Sequence, residues 1–252
     1  MGSRTYNADV LVLNKTKLGE TDLILTLLAE DGRQLRAVAR GARKPTSSFS
    51  SRLELYSTAH AQLIERSGLD IVREVRLING RPEFRSDLDK CAAAAPVAEL
   101  LAKITQEGLA HDRLFELSNA TLDAICAAGP DHASLLCAAG LLKICAFAGF
   151  RPSLRSCASC GGQKADSLRF SFDEGGFLCE SCASHGTAAY LDPAVAQWLD
   201  VLMYSTFAQL TELAPNQSAA AECIDFARRW IRTHVGAQLK SCAFLLQCGM
   251  AR

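Results

Sequence analysis

The stretch Cys157-Ala158-Ser159-Cys160, followed after eighteen residues by Cys179-Glu180-Ser181-Cys182, decides how the chain is read. Two thiolates three residues apart reach one metal from a single tight turn, and a second such knuckle completes a tetrahedron of four sulfurs. The surroundings suit that role. Gly161-Gly162 lets the backbone leave the first turn, and Leu168-Arg169-Phe170-Ser171-Phe172 alternates as a strand does. Asp173-Glu174-Gly175-Gly176 reads as a turn, and Phe177-Leu178 starts a return strand. The spacing predicts a β-hairpin that delivers both knuckles to one zinc ion, a zinc finger over residues 153–188. Two disulfides or four idle thiols are the competing readings, but in a reducing compartment cysteine pairs at this spacing bind metal more often than they pair. Four sulfurs leave no open position for water, so the zinc is expected to hold structure and perform no chemistry. His185, three residues past Cys182, is an alternative ligand.

The bulk properties bound the rest. A chain of 252 residues is long enough for a large core split over more than one domain. Hydrophobic residues make up 49% and charged residues 21%, as in an ordinary globular protein. The formal net charge is zero, so affinity for nucleic acid has to come from a local patch. Seven of the 11 cysteines lie outside the knuckles, at 91, 126, 137, 145, 223, 242 and 248, mostly among Ala and Leu. Buried small hydrophobes in a reducing cytoplasm fit them better than a disulfide framework. No secretory h-region opens the chain. The most apolar stretch, residues 135–150, holds Lys143 and is too short for a bilayer core of about 30 Å, so no membrane partner is expected.

Residues 1–80 read as strands. Residues 9–13, 23–28, 34–40, 56–65 and 70–78 are the candidates, with a turn at Glu30-Asp31-Gly32. Five short strands without a helical pattern predict a small closed barrel, an OB-fold first and an SH3-like barrel as its competitor. Gly80-Arg81-Pro82 marks a boundary, and residues 83–252 turn Ala- and Leu-rich, predicting a helical domain into which the zinc finger is inserted. Ser86 is read as a helix cap near Asp87, and Pro96 as a break or a helix start. Further helices are read over 97–108, 112–128, 132–148, 192–213, with Asp192-Pro193 as cap and first residue, and 218–235. The fold class is α+β.

Within the barrel, Arg33, Arg36, Arg40, Arg43, Lys44 and Arg52 form a run with no Asp or Glu among them. Arg36 and Arg40 share one face of a strand, and Arg43 and Lys44 fall in a loop over 41–51 read as flexible. A positive strand face with an adjoining loop is what an OB-type barrel offers to a phosphate backbone; a merely solvated face is the plain alternative. No catalytic constellation is visible. There is no Gly-Lys dipeptide, hence no phosphate-binding loop of the Walker type, and neither His-Glu-x-x-His nor Gly-x-Ser-x-Gly occurs. The five histidines are scattered.

The motifs in order carry a resemblance. Gly19-Glu20-Thr21-Asp22-Leu23-Ile24 with Gly32, then Ala39-Arg40-Gly41-Ala42-Arg43-Lys44 with Ser47, and near the end His234-Val235-Gly236 with Leu239-Lys240-Ser241 and Leu245, are similar to signatures of the bacterial recombination mediator family RecO. The resemblance covers nearly the whole chain, and the four cysteines place it among the zinc-bearing members. It implies a protein without enzymatic activity that binds single- and double-stranded DNA, anneals complementary strands and, with RecR, helps RecA replace single-strand-binding protein at gaps. It implies that Arg36 and Arg40 face DNA. Arg169 and Phe170 of the hairpin are further candidates for DNA contact. A zinc-ribbon transcription or RNA-binding factor is the alternative reading.

Overall fold

Strands Thr5–Leu18 (β1), Asp22–Ala29 (β2), Gln34–Ala39 (β3), Thr58–Ile64 (β4) and Asp70–Asn79 (β5) close into an OB-like barrel in the order β1-β2-β3-β5-β4. The computed structural model describes residues 4–129, 131–163, 168–184 and 187–247. All five strands fall where alternation predicts them, because each points small or branched side chains inward at every second position. Val10, Val12, Leu25, Leu27, Ala37, Ala59, Ala61 and Leu63 meet in the interior. β1 is 14 residues long and serves two partners, β4 along residues 5–11 and β2 along residues 10–18. A register shift between Val12 and Asn14 gives it the bend this requires. Its run Val10-Leu11-Val12-Leu13 is buried throughout, as expected of a strand covered on both faces.

The chain forms two compact units, residues 1–126 and 127–252. Strand gives way to helix at Gly80–Pro82, yet the first unit runs on through Glu83–Ser86 (α1), Leu88–Ile104 (α2) and most of Leu114–Ala127 (α3), because α2 packs on β1 and β2. Two local expectations need correcting. Asp87, not Ser86, caps α2, its carboxylate accepting the Lys90 N–H, while the Ser86 hydroxyl donates back to Glu83. Pro96 lies inside α2 and neither breaks nor begins a helix. It is buried on the packing face, and burial of that face offsets the single backbone bond a proline removes. The Arg81 guanidinium is buried and ties β4 to α3, donating to the Tyr56 carbonyl, Thr58 Oγ1, Asn119 Oδ1 and Asp123 Oδ1.

In the second unit, helix Ala133–Phe147 (α4) is apolar all round, with twelve residues buried, and takes the central position. Around it lie Pro193–Tyr204 (α6), Phe207–Glu212 (α7) and Gln217–His234 (α8), with Lys240–Gln247 (α9) against α8. Asp192 caps α6 as predicted. The helix expected over 192–213 is two helices, because Thr206 and Gln209 form a reciprocal capping box that starts α7. α9 was not foreseen. Lys143 Nζ donates to the carbonyls of Met203 and Ser205, placing its charge at the C-terminal end of α6. Arg169–Ser171 (β6) pairs with Gly176–Phe177 (β7), the predicted hairpin, and also with Ala189–Tyr190 (β8). Glu180–Ala183 (α5) follows the hairpin. Among the described residues no helix is long and apolar enough to cross a membrane.

The glycines of the N-terminal signature differ in what they do. Gly32 has φ +81°, and an added Cβ would stand 2.2 Å from the His111 carbonyl oxygen, whereas Gly19, at φ +56°, has open space around it. Gly32→Ala should therefore cost about 2–5 kcal/mol from backbone strain and overlap together, and Gly19→Ala about 1–2 kcal/mol from strain alone. Denaturant unfolding of the two variants checks this ordering.

Candidate metal centre and nucleic-acid face

The four predicted cysteines converge. The sulfurs of Cys157, Cys160, Cys179 and Cys182 all lie within 4.8 Å of one another, and Cys160 Sγ is 3.8 Å from Cys179 Sγ. A tetrahedron with metal–sulfur bonds of about 2.3 Å has edges of about 3.8 Å, so the spacing fits one ion. The first knuckle is shaped by a turn in which Gly161 N–H donates to the Cys157 carbonyl and Cys157 N–H donates to Gly162. Gly161 takes φ +74°, the conformation that lets the chain leave that turn. The second knuckle follows β7, and Ala158 N–H donates to the Phe177 carbonyl, so hairpin and knuckles are stitched together.

The electrostatics point the same way. Backbone N–H groups of Cys160 and Cys179 draw the buried Cys157 thiol down to about 6, and the N–H of Cys182 lowers Cys179. Cys182 instead rises to about 12 through its hydrogen bond to the Cys179 sulfur. Thiolates packed this closely need a shared cation or shared protons. The set could hold a metal ion as a closed site, with every position taken by sulfur. His185 lies outside the described residues, as does Cys248.

The hairpin is fastened by aromatic packing. Phe170 is buried and meets Phe172, Phe177, Phe226 and Trp230 with ring centroids 5.2–6.2 Å apart. The expectation that Phe170 reaches DNA is thereby corrected: its ring is core. Arg169 stays exposed.

The six predicted basic residues of the barrel divide into two groups. Arg33 pairs with Asp31 at 2.6 Å, Arg43 Nη1 donates to the carbonyls of Gly19 and Glu20, and Arg52 Nη1 donates to Val75. Arg36, Arg40 and Lys44 are exposed, and their side chains make no hydrogen bond or ion pair with the described residues. Arg36 and Arg40 do point away from the core, since Leu35, Ala37 and Ala39 beside them are buried. Sequence reasoning missed Arg73, which is exposed on β5. Ala37 of β3 pairs with Asp70 of β5, so the strand that carries Arg73 runs beside the one that leads to Arg40. The pairing of distant strands was the missing signal.

The loop expected to be flexible is a chain of turns. Lys44 N–H donates to Gly41, Ser47 to Lys44 and Leu53 to Phe49, while Ala42, Phe49 and Leu53 pack on the barrel core. The two halves of the N-terminal signature clasp each other: Asp22 Oδ1 accepts from Gly41 N–H at 2.7 Å and from the Thr21 hydroxyl at 2.9 Å, and Arg43 N–H donates to Thr21. The Gly41 N–H, foremost, lowers the Asp22 pKa, with Arg40 and Lys44 adding to it. A depressed carboxylate contributes its stabilisation above the ordinary value near 4 and loses it as pH falls through the folded value. The protection of the Gly41 amide, its exchange relative to the intrinsic rate at each pH, should therefore fall as the pH drops below about 4, and Asp22→Ala should show the same loss of protection at neutral pH with the barrel intact.

Comparison with known proteins follows the two halves of the chain. The family model described as the recombination protein O N terminal matches residues 1–81, and the recombination protein O C terminal model matches residues 85–243. The DNA repair protein RecO of Anaeromyxobacter sp. (strain K) is 34% identical over 253 residues, covering 95% of each chain. That of Desulfitobacterium hafniense (strain DSM 10664 / DCB-2) is 31% identical over 245 residues, covering 94% of this chain and 87% of the relative. That of Pelotomaculum thermopropionicum is 30% identical over 249 residues, covering 98% and 96%. Matched from its barrel through its last helices, the chain belongs to the RecO family of recombination proteins.

Proposed function

We propose that the protein is a cytoplasmic DNA-repair mediator without enzymatic activity, one that binds single- and double-stranded DNA, anneals complementary strands and works with RecR to let RecA replace single-strand-binding protein at gaps. Family membership supports the repair role. The observation that carries the binding reading is the trio Arg36, Arg40 and Lys44, three exposed cations of the barrel whose side chains make no hydrogen bond or ion pair with the described residues, in a chain of zero net charge. Annealing requires two polyanions to approach, so a protein that assists it has to offset phosphate charge while leaving base edges free to pair. Lys and Arg contacts to phosphates do that and carry no sequence information.

For the metal we propose zinc, one per chain, on Cys157, Cys160, Cys179 and Cys182. A closed four-thiolate set suits zinc and leaves no position for a reactive water. Bound there, the ion supplies folding free energy, on the order of 10 kcal/mol in isolated zinc fingers. The free thiols elsewhere accord with a reducing compartment.

Two measurements test the reading. In a strand-annealing assay with and without single-strand-binding protein, the intact chain should speed annealing, and Arg36→Glu with Arg40→Glu should slow it while leaving unfolding and metal content unchanged. Binding without annealing would move the reading to a zinc-ribbon transcription or RNA-binding factor. Metal analysis of protein purified without chelator should give one zinc per chain, and Cys157→Ser should lose it together with solubility. A chain free of metal in that preparation contradicts the zinc assignment.

A further inference from the structure

The barrel is open at the start of β3. β3 meets β5 only through Ala37 and Val38, so Gln34, Leu35 and Arg36 have no strand partner on that side. Between them and the loop joining β4 to β5 is a recess of about 330 Å³, at the small end of the range for ligand pockets. Guanidinium groups reach it from three segments of the chain, Arg4, Arg36 and Arg66 among them. The side chains of these three make no hydrogen bond or ion pair with the described residues. Tyr6 lines the same recess. Its ring rests on the barrel core and its hydroxyl donates to Asp70, which also accepts the Arg66 N–H, so ring and loop are held in place together. Glu65 and Glu107 also face the recess.

This composition selects among ligands. A purely anionic occupant such as an acidic peptide would set its carboxylates against Glu65 and Glu107. A nucleotide offers both halves of the match: a phosphate for the arginines, and a planar base that can lie on a ring and donate to carboxylates. We propose that the recess holds one unpaired nucleotide of a bound strand, its base against Tyr6 and its phosphate on Arg36 and Arg66. The proposal rests on the DNA-binding reading above and adds a place where the strand has to be single. A base in a recess has left its stack and its partner, so the recess favours single strands, whereas the outer cations Arg40 and Lys44 serve single and double strands alike.

The test compares the full chain on a single strand and on the duplex of the same sequence. Tyr6→Leu and Arg66→Ala should each weaken single-strand binding by about fivefold to tenfold, the lower part of what one base–aromatic stack contributes, and weaken duplex binding less than twofold. Tyr6→Phe keeps the ring and should keep single-strand affinity. Arg66 sits on an exposed loop, so Arg66→Ala carries the test if Tyr6→Leu fails to fold. Equal losses on both substrates, or no loss on either, overturn the recess. Failure of Arg36→Glu with Arg40→Glu to change either affinity would instead overturn the underlying DNA-binding reading.

Discussion

The barrel closes between β3 and β5 through two matched pairs, Ala37 with Asp70 and Val38 with Ile71. Much of the first unit follows from that short seam. Because β5 stands between β3 and β4, the chain cannot turn back by a hairpin and must cross over residues 40–57. A connection of that length either hangs loose or is pinned, and here it is pinned. Phe49 and Leu53 sit on the core, Asp22 holds the Gly41 amide, and Arg43 holds the turn between β1 and β2. The pinning turns a run of basic residues into a surface with direction. Below the two matched pairs the same seam stays open and forms the recess.

Charge in this protein is a matter of arrangement, since the total is zero. Three of the six cations in the acid-free run are tied to the fold by a hydrogen bond or ion pair, and the side chains of the other three make no such bond with the described residues. Arg43 is structural as much as electrostatic: its guanidinium satisfies two carbonyls of the β1–β2 turn. The second unit is organised by a different constraint. Its hairpin strands are three and two residues long, too short to hold alone. They depend on four convergent sulfurs at one end and on Phe170, Phe226 and Trp230 at the other.

The sequence was most informative where chemistry is local. Cysteine spacing predicted which four sulfurs converge, and alternation located all five barrel strands. Asp192-Pro193 announced its helix because cap and proline act within one turn. Thr206-x-x-Gln209 was an equally local signal that went unread, and the α6–α7 break was missed with it. Pro96 misled for a physical reason: a proline's cost is local, whereas the burial that offsets it comes from strands far away in the chain. The recess could not be read at all. Arg4, Arg36 and Arg66 are brought together by strand pairing, and no short window of sequence contains more than one of them. Phe170 looked available for DNA as a hairpin aromatic, and only the packing of α8 shows that it is core.

The central claim is that this barrel binds DNA by neutralising phosphates with the cations its seam leaves free. The salt dependence of single-strand binding measures that number directly. Three or four neutralised phosphates give a plot of log K against log salt a slope between about −2 and −3. A slope in that range is the result the account predicts; a slope near zero, with affinity unchanged by salt, would contradict it.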